Sequence, residues 1–528
     1  MELIVSHPQG RPIVRDYLAG RDEALRFFSG PFHRLSSYRA KAEEVDGRFD
    51  AEARRRAIRA LTVPPGADPD RLTRFVEDGG YMVTTGQQPG LYGGPLYSLY
   101  KGLTAVRLAQ ALEDELGKPV LPVFWVASDD HDWAEANHAW LIGVDNELHR
   151  FQVASQEGER TPPLHRMELG PDASDIVEDF ISHLPETDFS QEYVEILRRA
   201  FAPGRSLPHG FHELLHHLLS PYGLFFTDAA DPVLKESTRD LLFDELERAE
   251  EMEDVLEATA SKLEKAGYGI QANILEGGIN LFLEGPAGRE RLYREDGAYR
   301  LRTSGAVMEL EDVRTAAQED PRALSPNVML RPVVESAFFP TLSYVAGPGE
   351  IAYFAELGAY FRAHDVGMPV IHPRWSVTVV EGKIRKVLDK FDLELEALDR
   401  PFHEVASEYA REEMPDEIQR AVGQLRGAIG SGTAELQKAV MDVDPTLKRP
   451  VQTLRNQTFS ALDDVEKKVA QAVKRESEIA LSQLEKAQLH LFPNGKPAER
   501  VQSPLYYLTR YGGAFLDELD ERFEVNLE

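Results

Sequence analysis

Apolar residues recur along this chain in two rhythms. The first is the unbroken run. Val120-Leu121-Pro122-Val123-Phe124-Trp125-Val126-Ala127 is apolar or proline throughout and stops abruptly at Ser128-Asp129-Asp130-His131-Asp132. Continuous apolarity over that length predicts a strand buried on both faces, the habit of parallel sheets. Upstream, Tyr81-Met82-Val83-Thr84-Thr85 reads as a short strand and the Gly/Pro-rich stretch from Gly86 to Gly94 as a loop. Leu96, Leu99, Leu103, Val106 and Ala109 then form the apolar stripe of a helix, with Pro95 in its first turn and Gly117 as its stop. Residues 81–127 therefore predict one βαβ unit. Tyr222–Asp228, followed by Asp231-Pro232 opening a helix, and Gly367–Arg374 are further candidate strands.

The second rhythm belongs to the C-terminal third. Ile418, Val422, Leu425, Ile429, Leu436, Ala439 and Val443 follow a 4,3 spacing interrupted at Gly432. Asp444-Pro445 breaks it, and Leu447, Val451, Leu454, Leu462, Val465 and Val469 resume it. Two such arms around a break predict an antiparallel helical hairpin or coiled coil. Its heavily charged polar faces favour a protruding hairpin over a packed subdomain, and dimerisation through it is expected. Between the rhythms, residues 150–215 are polar, His-bearing and expected to be mainly helical, an insertion into the sheet domain. Residues 280–304 alternate, with Asp296-Gly297 as a two-residue hairpin turn between Arg291-Leu292-Tyr293 and Tyr299-Arg300-Leu301.

Composition narrows the class. At 528 residues the chain exceeds one ordinary core. A formal charge of −30 repels phosphate backbones and anionic lipid, which argues against nucleic-acid or membrane partners. No apolar run approaches the roughly 20 residues of a membrane span. Met1–Pro8 has no charged-then-apolar leader, so a cytoplasmic location is expected. Cysteine is absent, which excludes disulfides, thiolate nucleophiles and Cys-ligated zinc within this chain.

Ligands of open α/β sheets bind beyond the carboxyl ends of the strands, where Asp129–Asp132 is placed. That cluster, with Asn137 and His138, suits metal ligation, acid–base work or the anchoring of an amine; an acidic cap on the next helix is the plainer alternative. Carboxylates beside His131 favour its imidazolium, which suits proton transfer near neutral pH. The glycine turn, whose spacing is neither the dinucleotide fingerprint nor the Walker form, brings Gln87 and Gln88 as amide donors and acceptors. Arg331 is a natural bidentate carboxylate clamp. Glu350 and Tyr353 follow the Gly347-Pro348-Gly349 turn, and Arg374 follows a strand end.

Taken together, Val83-Thr84-Thr85-Gly86-Gln87-Gln88, Gly94-Pro95-Leu96-Tyr97 with Lys101, Pro122–Ala127 leading into Asp130-His131-Asp132, and Asn137-His138 resemble the bacillithiol synthase family, the BshC-type cysteine ligases. So do Ser325-Pro326-Asn327 with Leu330-Arg331-Pro332, Gly347–Tyr353, and Leu491–Pro497 with Glu499-Arg500. The resemblance implies a ligase that forms an amide between the carboxyl of cysteine and the amine of glucosaminyl-malate. It also implies an α/β fold: a Rossmann-like parallel-sheet core, similar to class I synthetases, with connective insertions and a C-terminal antiparallel coiled coil that makes a homodimer. The expected division is 1–149 for N-terminal helices and the first part of the core, 150–215 for the connective insertion, 216–380 for the rest of the core, 381–490 for the coiled coil and 491–528 for a segment returning to the core.

Carried onto this sequence, the resemblance makes His131, Asp130 and Asp132 the proton-handling residues. Thr85, Gly86, Gln87, Gln88, Gly94, Pro95, Lys101, Asp129, Asn137, Asn327, Arg331, Glu350, Tyr353 and Arg374 become the substrate-binding set, with Arg331 and Arg374 on the malate carboxylates. ATP is the candidate cofactor through the synthetase-like relatives. Where these have a His-x-Gly-His motif, this chain has Gly93-Gly94-Pro95-Leu96, and their Lys-rich loop has a loose echo in Lys383-Ile384-Arg385-Lys386. No metal is expected. The readings from other classes are a non-catalytic ligand-binding or scaffold protein of a thiol pathway, and a metal-dependent hydrolase built on Asp129–Asp132.

Overall fold

Tyr81–Gln87 (β1) and Val120–Val126 (β2) lie side by side in parallel, Val83 opposite Pro122, joined by the helix Tyr97–Leu116 (α1). Gly117 ends α1 in the left-handed region at φ +67°, its N–H closing on Glu113 O, as a C-terminal glycine does. Phe225–Asp228 (β3), Thr341–Ala346 (β4) and Val370–Pro373 (β5) complete a five-stranded sheet in the order β5-β4-β1-β2-β3, every neighbouring pair parallel. In this computed structural model, residues 1–155, 160–295 and 297–528 are described.

Alternation along the strands builds two cores. Met82, Leu121, Val123, Trp125, Tyr344 and Ile371 pack into one apolar cluster, while Tyr81, Val83, Val120, Leu342, Val345 and Val370 pack into another. Successive side chains of a strand point to opposite faces, so the sheet is covered on both sides, as the apolar runs predict. β4 escapes the pattern reading because Thr341 and Ser343 interrupt its apolar residues. All six of its residues are nevertheless buried. Ser343 Oγ donates to Val370 O at 2.7 Å and Thr341 Oγ1 to Phe339 O at 3.3 Å, so the hydroxyls are satisfied without leaving the sheet.

The alternating segment belongs to a sheet larger than 280–304. Five antiparallel strands stand in the order Val307–Met308, Ala298–Leu301, Gly288–Glu295, Gly278–Gly285, Leu324–Pro326. The pairs Leu292–Leu301 and Tyr293–Arg300 form the expected hairpin; Asp296 of its turn lies outside the described residues. Residues 150–215 hold the helices Asp172–Ser182, Ser190–Ala200 and Leu207–Leu219, and close an antiparallel hairpin, His138–Ile142 with Leu148–Gln152, that begins before them.

The helix Arg331–Phe338 (α2) follows the second sheet, and Pro348–Ala363 (α3) follows β4. All of this belongs to one unit, residues 3–378 with 499–528; residues 379–498 with 1–2 form the other. The second unit contains Asp416–Met441 (α4) and Lys448–Glu476 (α5). Asp444 caps the turn between them, accepting from Thr446 N at 2.8 Å. Arg426 of α4 reaches Asp463 and Glu466 of α5, both at 2.8 Å, so the two arms run antiparallel. No residue of α4 is buried, and Leu425 and Leu436 are 51% and 43% exposed. Among the described residues, no helix is long and apolar enough to cross a membrane.

Candidate active site

A cavity of about 780 Å³ opens at the carboxyl ends of the parallel strands. Gly86, Gln87 and Gln88 reach it from β1, Trp125, Ala127 and Asp129–His131 from β2, Tyr344 and Gly347–Glu350 from β4, and Arg374 from the end of β5. The order of the sheet reverses between β1 and β4, and such a switch point is where an open α/β sheet leaves a crevice. The second sheet supplies the facing wall through Phe282, Arg289, Arg291 and Pro326. Arg289 and Arg291 are two residues apart on one strand, so they share its face.

Lys101 and Glu350 form the floor. The buried Lys101 Nζ donates to Gly86 O at 2.7 Å and Gln87 Oε1 at 3.1 Å and pairs with Glu350 Oε2 at 2.6 Å, which uses all three ammonium protons. Glu350 also accepts from Gly347 N and from the Tyr344 hydroxyl, both at 2.7 Å. Burial pushes the Glu350 carboxyl up, but the Lys101 ammonium and these hydrogen bonds outweigh it and hold it below the usual carboxylate range.

Two arginines expected to clamp a ligand are already engaged. Arg331 donates to Glu335 Oε2 at 2.7 Å and to the Tyr344 and Tyr353 hydroxyls at 3.3 and 3.1 Å. Arg374 grips Glu499 through both terminal nitrogens, at 3.1 and 2.6 Å, and also donates to Trp375 O. Both line the cavity, but as anchors of its wall.

The acid–imidazole cluster is arranged differently from its reading in the chain. Asp130 Oδ1 accepts from the backbone N–H of His131 at 2.6 Å and of Asp132 at 3.3 Å, so the carboxylate shapes its own turn. Burial pushes its carboxyl up; His131 and the Arg289 charge overcome this and bring it down to about 2. Arg289 Nη1 donates to His131 Nδ1 at 3.1 Å. The same Nδ1 lies 3.5 Å from Asp130 Oδ1, so it sits between a guanidinium donor and a carboxylate acceptor. Arg289 is itself fixed by Ser325 Oγ at 2.9 Å and Pro326 O at 2.8 Å, and lies 3.9 Å over the Phe282 ring. Asp129, at the base of the loop, pairs with the buried Lys235 at 3.3 Å.

Five residues of the expected set do not line the cavity. Asp132 caps the short helix Trp133–Ala136, accepting from Glu135 N at 2.9 Å, which is the plainer alternative for one acid of the cluster. Thr85 donates to Val345 O at 2.9 Å within the sheet, and Asn137 to Val153 O at 3.1 Å. Gly94 and Pro95 sit in a turn sealed by neighbouring structure. Gly93, at φ +90°, abuts Leu214 and Pro504, Gly94 N donates to Leu91 O, and Leu96 N donates to Gln502 O. Asn327 does line the cavity, but its Oδ1 accepts from Met329 N and Leu330 N at 2.9 and 3.1 Å, which fixes the entry to α2.

Other cavity residues were not singled out as site residues in the chain. Arg291 reads there only as a hairpin position and Arg289 goes unread, although their i, i+2 spacing marks a two-arginine face. Glu135 goes unread in the chain; burial first, then the charges of Asp132 and Asp130, push its carboxyl up. Arg500 is exposed at the rim. Among the described residues, neither Arg289, Arg291 nor Arg500 has a carboxylate partner within 4.0 Å. Six basic side chains (Lys101, Arg289, Arg291, Arg331, Arg374 and Arg500) line the cavity against four acids (Asp129, Asp130, Glu135 and Glu350). Glu335 and Glu499, behind the lining, offset Arg331 and Arg374, which leaves Arg289, Arg291 and Arg500 as the cations open to an anionic ligand in a chain of −30.

Comparison with known proteins agrees with both units. Residues 1–375 match the family described as bacillithiol biosynthesis BshC, N-terminal Rossmann-like domain, and residues 377–526 match its C-terminal coiled-coil domain. The Salinibacter ruber protein named "Putative cysteine ligase BshC" is 33% identical over 520 residues, covering 96% of this chain and 92% of that protein. Relatives of the same name from Solibacter usitatus and Symbiobacterium thermophilum are 30% and 33% identical, covering 96% and 84% of this chain and 94% and 82% of their own lengths.

Proposed function

The chain belongs to the bacillithiol biosynthesis BshC family, and from that premise we propose that it is a cysteine ligase of bacillithiol biosynthesis, joining the carboxyl of cysteine to the amine of glucosaminyl-malate. The observation that carries this reading is the set of three guanidiniums without carboxylate partners, Arg289, Arg291 and Arg500, around a cleft of about 780 Å³. That volume accommodates two small substrates. A dicarboxylate needs cations that are not neutralised from within, a requirement Arg291 and Arg500 meet and Arg331 and Arg374 do not.

Amide formation requires the attacking amine to lose a proton while negative charge develops on the acyl oxygen. Glu135, its carboxyl pushed up, is the proton acceptor in this reading. His131, held at Nδ1 between Arg289 and Asp130, is the donor to the developing oxyanion or the departing group. Gln87 donates to the Tyr97 hydroxyl at 3.1 Å and Gln88 to Asp132 O at 3.2 Å; in this reading the two amides orient the sugar or the amino acid. ATP would supply activation of the carboxyl. The sealed Gly93–Gly94 turn does not fit a phosphate cradle, so no step is assigned to it. The exposed apolar residues of α4 and α5 support a homodimer formed through the coiled coil, in a cytoplasmic protein.

The test is product formation from cysteine, glucosaminyl-malate and ATP, followed by mass spectrometry. Glu135→Gln and His131→Ala are each expected to lower turnover by about a hundredfold or more. Failure of the wild type to form product, or wild-type turnover in both variants, overturns the reading.

A further inference from the structure

The hairpin His138–Ile142/Leu148–Gln152 carries a cluster that the reaction does not use. One carboxylate oxygen of Asp145 and one imidazole nitrogen each of His149 and His183 lie within 4.8 Å of one another. None of the three lines the cleft. Asp145 Oδ1 accepts from Glu147 N at 3.0 Å, which fixes the carboxylate, and Oδ2 lies 2.8 Å from His149 Nε2. His183 comes from just past the helix Asp172–Ser182, and its carbonyl accepts from Val144 N at 3.1 Å, fastening the helix end to the hairpin turn.

Three features mark the cluster as built. The two imidazole centroids are 4.2 Å apart and tilted by 50°, too inclined to be a flat stack, and Phe151 packs near both rings. His183 Nδ1 is 2.9 Å from Asp179 O; donating there leaves the Nε2 lone pair outward, the arrangement that orients a metal-ligating histidine. Gly143 leaves the space: a Cβ at that position would meet Asp145 Oδ1 at 2.7 Å and His149 Nε2 at 3.3 Å.

We propose that Asp145, His149 and His183 bind a divalent transition metal of the zinc class. Two imidazoles and one carboxylate suit that class, and the partial exposure of all three leaves water to complete the coordination. Binding replaces the contact between His149 Nε2 and Asp145 Oδ2 by bonds from both atoms to the metal. The ion then braces the hairpin against the end of the helix, away from the cleft.

The experiment uses untagged full-length protein stripped with a chelator and titrated with Zn²⁺, with Co²⁺ absorbance as the spectroscopic check. The wild type is expected to bind one ion per chain and to gain thermal stability from Zn²⁺. His183→Ala and Asp145→Ala, at a half-buried and an exposed position, are expected to weaken binding by at least about tenfold, while His131→Ala in the cleft retains wild-type binding. Equal affinity in the wild type and in the His183 and Asp145 variants would place any bound ion elsewhere. That result, or no binding by the folded wild type, overturns the proposal.

Discussion

Arg374 and Arg500 look interchangeable in the chain and have opposite roles in the folded protein. Arg374 and Glu499 are 2% and 5% exposed in their side chains and hold each other bidentately across 125 residues of sequence. Removing one member of a buried pair strands the other charge, at a cost of about 3–5 kcal/mol. Arg374→Ala and Glu499→Ala are therefore each expected to lower unfolding free energy by about that amount in denaturant titrations. Arg500→Ala is expected to leave stability unchanged and to raise KM for the malate-bearing substrate by about tenfold, the worth of one hydrogen bond to a charged group. The sequence displays both guanidiniums, but nothing local in it reveals a carboxylate partner so far along the chain. The same blindness affects His131: its acidic neighbours are visible in the chain, and Arg289, which meets its Nδ1, is 158 positions away.

At the scale of elements, runs and repeats were readable, and strands whose polar groups find partners inside the sheet were not. β2 and the two arms of the hairpin follow from their spacing, whereas β4, which builds the switch point, is hidden by Ser343 and Thr341. α3 holds a cavity-lining segment from behind. The buried Glu356 accepts from Gln271 N at 2.6 Å and Ala272 N at 3.2 Å. Burial outweighs these amides and pushes its carboxyl up to about 7 from 4.5. Between those two pH values the folded chain keeps a proton that the unfolded chain has released, so this residue's contribution to stability falls as pH rises through that window. Glu356→Gln is expected to flatten the corresponding slope in unfolding measurements between pH 4.5 and 7. In the other unit, Leu425→Asp with Leu436→Asp places charge on the exposed stripe of α4. This double variant is expected to run as a monomer in sedimentation with its helical content retained; an unchanged mass would remove the coiled coil as the dimer contact.

For the molecule as a whole, the family match covers both units, and the charge of the chain and the charge of its cleft have opposite signs. Fold class followed from buried runs ending in acids, which physics ties to parallel sheets. The cleft's wall of arginines came from a sheet whose facing partner no local pattern identifies. The division of the chain has one more consequence. Residues 379–498, 120 in number, separate Arg374 from Glu499 and from Gln502, which closes over the first turn of α1. During synthesis, the growing α/β body must wait for that entire excursion to leave the ribosome before its guanidinium is neutralised and its helix end is covered. Until then the nascent protein holds a guanidinium without its carboxylate partner, and a polypeptide ending within residues 379–498 is expected to be less stable than the whole by at least the roughly 3–5 kcal/mol of that broken pair.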